Sequence, residues 1–348
     1  MKLGISCGFW GMGRDADNLA MAQRADELGV DVFWASEAYG PDAASVLAWV
    51  GAQTKNIGLG AGVLQIPGRT PAMTAMTAGS IDNLSEGRFR LGLGVSGPQV
   101  SEGWHGVGFA KPLGRTREYV SIVRSALDRQ PVSYEGEHFT LPLPDGVGKA
   151  LRLNIVPNKH RVPIYLAAVG PKNLELAGEL ADGWLGVFVS PEYLDEQIEG
   201  LKRGQARRTE PVEHFEVDAT VPIAVGEDLG RCASLIAPYA ALYVGGMGSR
   251  EHNFYNALAC RMGYEEAAAE VQNLYLDKKW REAAAAMPQQ FIDDTSLLGS
   301  GSRLVERMQR YADAGVTTLT IAPWGETLDA RVEALEAAVE AATKVKDL

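Results

Sequence analysis

One junction recurs along these 348 residues: an amphipathic helical stretch ends in a small or polar turn, usually with glycine, and a β-branched or aromatic run follows at once. It stands at Leu28-Gly29-Val30, Asn56-Ile57-Gly58, Glu86-Gly87-Arg88, Asp182-Gly183-Trp184 and Gly315-Val316-Thr317. Glycine suits the position after a helix because it accepts the left-handed conformation that closes the last turn. An apolar run directly after it reads as a parallel strand buried on both faces. Strands are expected at Leu3–Cys7, Asp31–Glu37, Ile57–Gln65, Phe89–Val95, Ile164–Val169, Trp184–Val189, Phe215–Ala224 and Thr317–Pro323. Eight strands separated by helical sequence are the count of an α/β fold of the (β/α)8 TIM-barrel class.

The opposite junction is equally legible, because proline is tolerated at the first helical position and Ser, Thr or Gly can precede it. Thr70-Pro71, Gly170-Pro171 and Ser190-Pro191 fit that pattern. From Asp17 to Leu28, Leu19, Ala22, Ala25 and Leu28 form a narrow stripe suited to packing on a sheet. Two segments exceed a minimal barrel: about 98–160, with one helix at Arg115–Leu127, and about 245–290, rich in alanine. Insertions after barrel strands belong at the C-terminal mouth, where the active site of this fold lies. With no Gly-, Ser- or Pro-rich linker, residues 1–348 read as one barrel domain.

A net charge of −11 argues against nucleic-acid or anionic-membrane partners, which need a basic face. Cys7, Cys232 and Cys260 are too scattered for a disulfide framework or a Cys-x-x-Cys pair. His138, His160, His214 and His252 show no metal-ligand spacing, so no metal is expected. The N-terminus enters a strand pattern without a signal-like apolar core, and no apolar run reaches the ~18 residues that span a bilayer. A cytoplasmic chain follows as the expectation.

Several motifs carry chemistry. Gly92-Leu93-Gly94-Val95-Ser96-Gly97 matches a dinucleotide-binding fingerprint by letter, but its first two glycines lie inside the strand and Pro98 follows. A barrel strand whose small residues admit a flat ring, then a backbone-rich loop at Ser96-Gly97-Pro98-Gln99, fits better. Glu37 closes the second strand, where a carboxylate faces the mouth as acid, base or hydrogen-bond acceptor, or is satisfied by a neighbouring helix end. Tyr39 on the same rim is a wall residue or proton donor. Gly170-Pro171-Lys172-Asn173 opens a helix, whose free N–H groups beside a lysine favour an anion. His105 is the only histidine near a strand end, a general acid or a hydrogen-bonded structural residue. No Gly-x-Ser-x-Gly elbow supplies a hydrolase nucleophile.

Taken in order, Ser36-Glu37-Ala38-Tyr39-Gly40 with Asp42, Arg69-Thr70-Pro71-Ala72-Met73, Leu84 to Gln99, and Gly170-Pro171-Lys172-Asn173 with Ala181-Asp182-Gly183-Trp184 resemble the luciferase-like monooxygenase superfamily. Within it, the chain is similar to the F420-dependent reductases related to methylenetetrahydromethanopterin reductase. The resemblance implies a non-proline cis peptide in Gly60-Ala61-Gly62-Val63-Leu64, at Gly62–Val63, forming a bulge against one face of the deazaflavin. It implies cofactor contacts from Glu37, Ala61 to Val63 and Ser96 to Gln99, and part of the tail-phosphate site at Gly170, Pro171, Lys172 and Asn173. Relatives that oxidise sugar phosphates carry a histidine where this chain has Ala38, which disfavours that reaction and leaves proton transfer to Glu37, Tyr39, His105 or solvent. Phe9, Trp10, Tyr39, Trp104 and Phe188 are expected as apolar wall, with Lys172 and Arg69 toward the charged tail. The implied enzyme is an F420-dependent oxidoreductase, a homodimer passing a hydride between the deazaflavin and a small unsaturated or carbonyl-type molecule. An FMN-dependent monooxygenase and a non-redox phosphate-binding barrel are the alternatives.

Overall fold

The computed structural model describes residues 1–155, 158, 161–209 and 212–346; His160, named above among the histidines, lies outside them. Eight parallel strands close a barrel: β1 (Lys2–Ser6), β2 (Val32–Ala35), β3 (Gly58–Ala61), β4 (Phe89–Gly94), β5 (Ile164–Ala167), β6 (Gly183–Val187), β7 (Glu216–Ala224) and β8 (Thr318–Pro323). Each pairs with the next and β8 returns to β1. All eight overlap the expected stretches. The third is interrupted: after β3 the peptide between Gly62 and Val63 is cis, and Leu64–Gln65 then pairs with the end of β4.

Three of the five joint glycines end helices with positive φ, Gly29 at 75°, Gly87 at 89° and Gly315 at 96°. Gly58 and Gly183 act differently. They begin strands because neighbours occupy the side-chain space: a Cβ on Gly58 would meet the Asp31 carbonyl oxygen at 2.8 Å, and one on Gly183 the Tyr165 ring at 2.5 Å.

Strand alternation sorts the residues into two layers. Ile5, Phe33, Leu59, Leu91, Leu166 and Ile321 point outward into one continuous core beneath the helices. Val32, Trp34, Tyr165 and Leu185 form a separate cluster inside the barrel. These large side chains fit because facing positions are glycine; a Cβ on Gly60 would lie 2.2 Å from the Trp34 ring. At the N-terminal end the interior turns polar, with Tyr165 donating to Glu216 (2.7 Å), Lys2 to Glu216 (3.0 Å) and Arg90 to Asp31 (2.5 Å). Asp218 is fully buried among them and accepts from the Trp34 indole N–H at 2.9 Å. Burial pushes its carboxyl up to about 7, against the lowering effect of Thr320, Arg90 and Trp34.

Local corrections have plain causes. The first helix runs Asp15–Glu27 and buries Asn18, Met21, Ala22 and Ala25, so the buried face is rotated from the expected stripe. Arg331 donates to Asn18 at 2.9 Å, which satisfies that buried amide. Trp10 is core rather than mouth wall, packed edge-on against Phe33. The first insertion's helix starts earlier than expected, at Pro112, and the Tyr134–Phe139 stretch contributes to a hairpin pairing Tyr134–Glu135 with Thr140–Leu141. After β7, a helix at Leu229–Ala241 passes into a π-helical turn at Leu242–Gly246, and Phe254–Arg261, Glu265–Leu276, Trp280–Ala285 and Gln289–Asp294 complete the second insertion. Among the described residues no helix is long and apolar enough to cross a membrane.

Candidate active site

Toward the C-terminal ends of the strands, the inward positions become small: Ser6 on β1, Gly62 after β3, Gly94 on β4 and Ala167 on β5. A Cβ on Gly62 would stand 3.4 Å from Trp34, so that ring lies directly below the position. The result is a floor without bulky side chains at the fold's usual site of chemistry.

The site residues expected from the sequence gather on the ends of β2 to β5, four consecutive strands. Glu37, just past β2, is mostly buried and both oxygens are engaged: Oε1 accepts from Arg69 at 2.5 Å and Oε2 from the backbone N–H of Ala43 at 3.2 Å. Ala43 begins the second barrel helix, Ala43–Gln53. Arg69 also bonds Asp42, whose side chain caps that helix by accepting from Ser45 N–H. Arg69 is thus a brace between two carboxylates, rather than a cation pointing freely at a ligand. Tyr39 stands on the same rim, 62% exposed.

At the end of β4, Ser96 takes a left-handed φ of 58° and its hydroxyl accepts from the Gln65 side-chain amide at 2.8 Å. The Gln65 carbonyl lies 2.9 Å from Nε2 of His105. Gln65 therefore ties the Ser96 loop to His105, with Gly97 and the short helix Pro98–Ser101 between them in sequence. Gln65 was not anticipated; lying in an expected strand, it gave no signal beyond being a polar residue in an apolar run. Trp104 is exposed.

Gly170 precedes the helix Pro171–Leu180, which no side chain caps; Pro171 has no N–H and the Asn173 and Leu174 N–H groups bond the Gly170 carbonyl at 3.0 Å, leaving the Lys172 N–H with its exposed side chain beside it. Arg261, from the second insertion, donates to the Val169 carbonyl at 3.1 Å and places a second cation next to Gly170. An uncapped helix start with two cations is a good anion site. Only a folded chain brings position 261 beside 169.

The opposite half of the mouth is aromatic. Phe188 follows β6 with φ 52° and is core rather than wall, only 3% exposed, its ring stacked on Tyr239 at 5.3 Å and 25°. Tyr239 lies 4.7 Å from Tyr243 and 5.7 Å from Trp324, the residue after β8, and Tyr243 lies 4.8 Å from Tyr255. Of these rings only Phe188 was named from the sequence. Ser96 and Phe188, at two strand ends, are non-glycine residues in the sparsely populated left-handed region.

Comparison with known proteins agrees with this architecture. A family model described as luciferase-like monooxygenase matches residues 10–318. A Mycobacterium tuberculosis protein named as a coenzyme F420-dependent oxidoreductase is 42% identical over 92% of this chain and 94% of its own. The 5,10-methylenetetrahydromethanopterin reductase of Archaeoglobus fulgidus is 29% identical over 84% and 85%. Among solved structures, the coenzyme F420-dependent tetrahydromethanopterin reductase of Methanopyrus kandleri superposes with a TM-score of 0.80 at 20% identity, over 99% of each chain. The FMN-bound oxygenating constituent of 3,6-diketocamphane monooxygenase from Pseudomonas putida gives 0.72 at 18% identity, over 100% of this chain and 99% of its own. The family match runs from the loop after β1 to the first residue of β8, through the glycine floor and both insertions, and the chain belongs to the luciferase-like monooxygenase family.

Proposed function

We propose that this chain is a coenzyme F420-dependent oxidoreductase acting on a small unsaturated or carbonyl-type organic molecule. One observation carries the reading: the ends of β3 and β4 offer a floor of glycine beside the uncapped start of Pro171–Leu180. A flat ring with an anionic tail needs that combination, and the residues present fit it. Gly62, Val63, Gly94 and the Ser96 to Gln99 loop would hold the ring, while Gly170, Lys172 and Arg261 would hold the tail. The named activity of the 42% identical relative supports F420 over FMN.

When bound, F420 supplies a hydride-accepting or hydride-donating carbon, and the protein supplies position and shielding. Trp34 supports the floor from below, and Gln65 fixes the Ser96 loop. Glu37, with both oxygens engaged, orients the rim instead of taking a proton. Tyr39, exposed on the rim, is the proton carrier in this reading, while the Nε2 of His105 is engaged by Gln65. Ala38 leaves no histidine next to Glu37, in keeping with reduction or oxidation of something other than a sugar phosphate.

Reduced F420 is expected to be reoxidised by enone or ketone acceptors with one product formed per cofactor and no oxygen uptake at an oxygen electrode. Oxygen consumption driven by reduced FMN, with reduced F420 left unchanged, would favour the monooxygenase chemistry and end this proposal.

A further inference from the structure

The aromatic half of the mouth lies outside the residues assigned above to the cofactor, and its composition narrows what it can hold. Phe188 and Trp324 stand on the C-terminal ends of β6 and β8, on either side of β7 in the barrel. The chain leaving β7 returns Tyr239, Tyr243 and Tyr255 over them. The π-helical turn at Leu242–Gly246 is backed by Tyr275, against which a Cβ on Gly245 or Gly246 would collide at 2.5 or 2.3 Å. Tyr39, rising from the β2 side, comes near enough to Tyr243 and Tyr275 to oppose their ionisation, so the rings reach across the mouth.

Two properties follow. The three tyrosines are half-buried, leaving ring surface to cover. Their ionisable neighbours are other tyrosines: among the described residues no lysine, arginine, aspartate or glutamate bears on any of the three. Burial keeps the phenols protonated, and the rings of Tyr239 and Tyr243 lie 4.7 Å apart. Hydroxyls of this kind can pair with a neutral carbonyl oxygen. A carboxylate or phosphate placed there would be desolvated without a cation.

We infer that Tyr239, Tyr243, Tyr255 and Trp324, backed by the buried ring of Phe188, form the substrate chamber, and that it takes an uncharged carbonyl compound carrying a flat apolar ring. The inference rests on the oxidoreductase reading for the word substrate, and on the chamber's own chemistry for the class. Ring faces stack on the aromatic wall, and the phenol hydroxyls meet the carbonyl.

The test uses the full chain, with and without added F420, and three probes followed by calorimetry or saturation-transfer NMR. These are 4-phenyl-2-butanone, 3-phenylpropanoate, which exchanges the acetyl group for a carboxylate, and 2-butanone, which lacks the ring. The aryl ketone is expected to bind at least about tenfold tighter than either relative, a gap of about 1.4 kcal/mol. Tyr239→Leu should weaken it about tenfold, and Tyr243→Phe, which removes only a hydroxyl, about threefold. Phenylpropanoate binding as tightly as the ketone, or no change in Tyr243→Phe, would overturn the chamber. If Tyr239→Leu does not fold, the probe ranking and Tyr243→Phe still decide. Failure to bind F420 with the ranking intact would refute the cofactor reading and leave the chamber's selectivity standing.

Discussion

Gly92→Ala is expected to lower stability by about 3 kcal/mol or to prevent folding, the upper range for forcing an atom into a packed interior. The added Cβ would lie 2.0 Å from the Ala61 carbonyl oxygen and 2.8 Å from Leu185 Cδ1. Leu185 can rotate away. The Ala61 carbonyl cannot, because it belongs to the neighbouring strand immediately before Gly62. Relief therefore requires β3 and β4 to separate where they support the floor. Gly40→Ala is the control: nothing lies within 4 Å of its added Cβ. Urea unfolding should show a lower midpoint for Gly92→Ala with little change in slope. A midpoint equal to the parent's would mean that the strand spacing here is wrong.

The second large effect is electrostatic and runs opposite to ordinary acid denaturation. Folded Asp218 has its pKa raised from 3.8 to about 7. Between those values the folded chain holds a proton that the unfolded chain has released, so stability is fully present below about pH 4 and is lost as pH rises through 7. A shift of about three pKa units corresponds to about 4 kcal/mol as an upper bound. Asp218→Asn mimics the protonated form and keeps an acceptor for the Trp34 N–H. The variant should match the parent near pH 4 and exceed it by a few kcal/mol at pH 8. Comparing parent with variant cancels other carboxylates, such as Glu192, held down to about 2 by Arg307 and Ser190 against the opposing effect of burial. A difference that does not change with pH would show that Asp218 is ionised in the fold throughout this range.

The legible parts of the molecule were local. A helix end, its glycine and the strand after it are neighbours in sequence, so eight strands could be placed from joints such as Gly29 and Gly315. The same logic misassigned Gly58 and Gly183, since a glycine required by an opposing carbonyl or ring looks like one required by a helix end. The letters at Gly92 and Gly94 matched a dinucleotide motif, whereas the structure uses them to bring β4 against Ala61 and Val63. Glu37 follows β2 and is satisfied, as its alternative reading had it, by the start of the Ala43–Gln53 helix, but its partner Arg69 lies 32 positions away and neither composition nor spacing could join them. Gln65 with His105, Arg261 with Val169 and the tyrosine wall are likewise products of chain return. Trp10 shows the converse: an aromatic residue just past a strand end reads as wall until the fold packs it against Phe33.

The central claim, that the glycine floor and the uncapped helix beside it receive a deazaflavin, is tested most directly by titrating the purified protein with F420 and, separately, with FMN, following cofactor fluorescence. The account predicts saturable F420 binding at least about tenfold tighter than FMN, about 1.4 kcal/mol or more, with F420 affinity lost in Gly94→Leu. Tight FMN binding with no saturable response to F420 would contradict it.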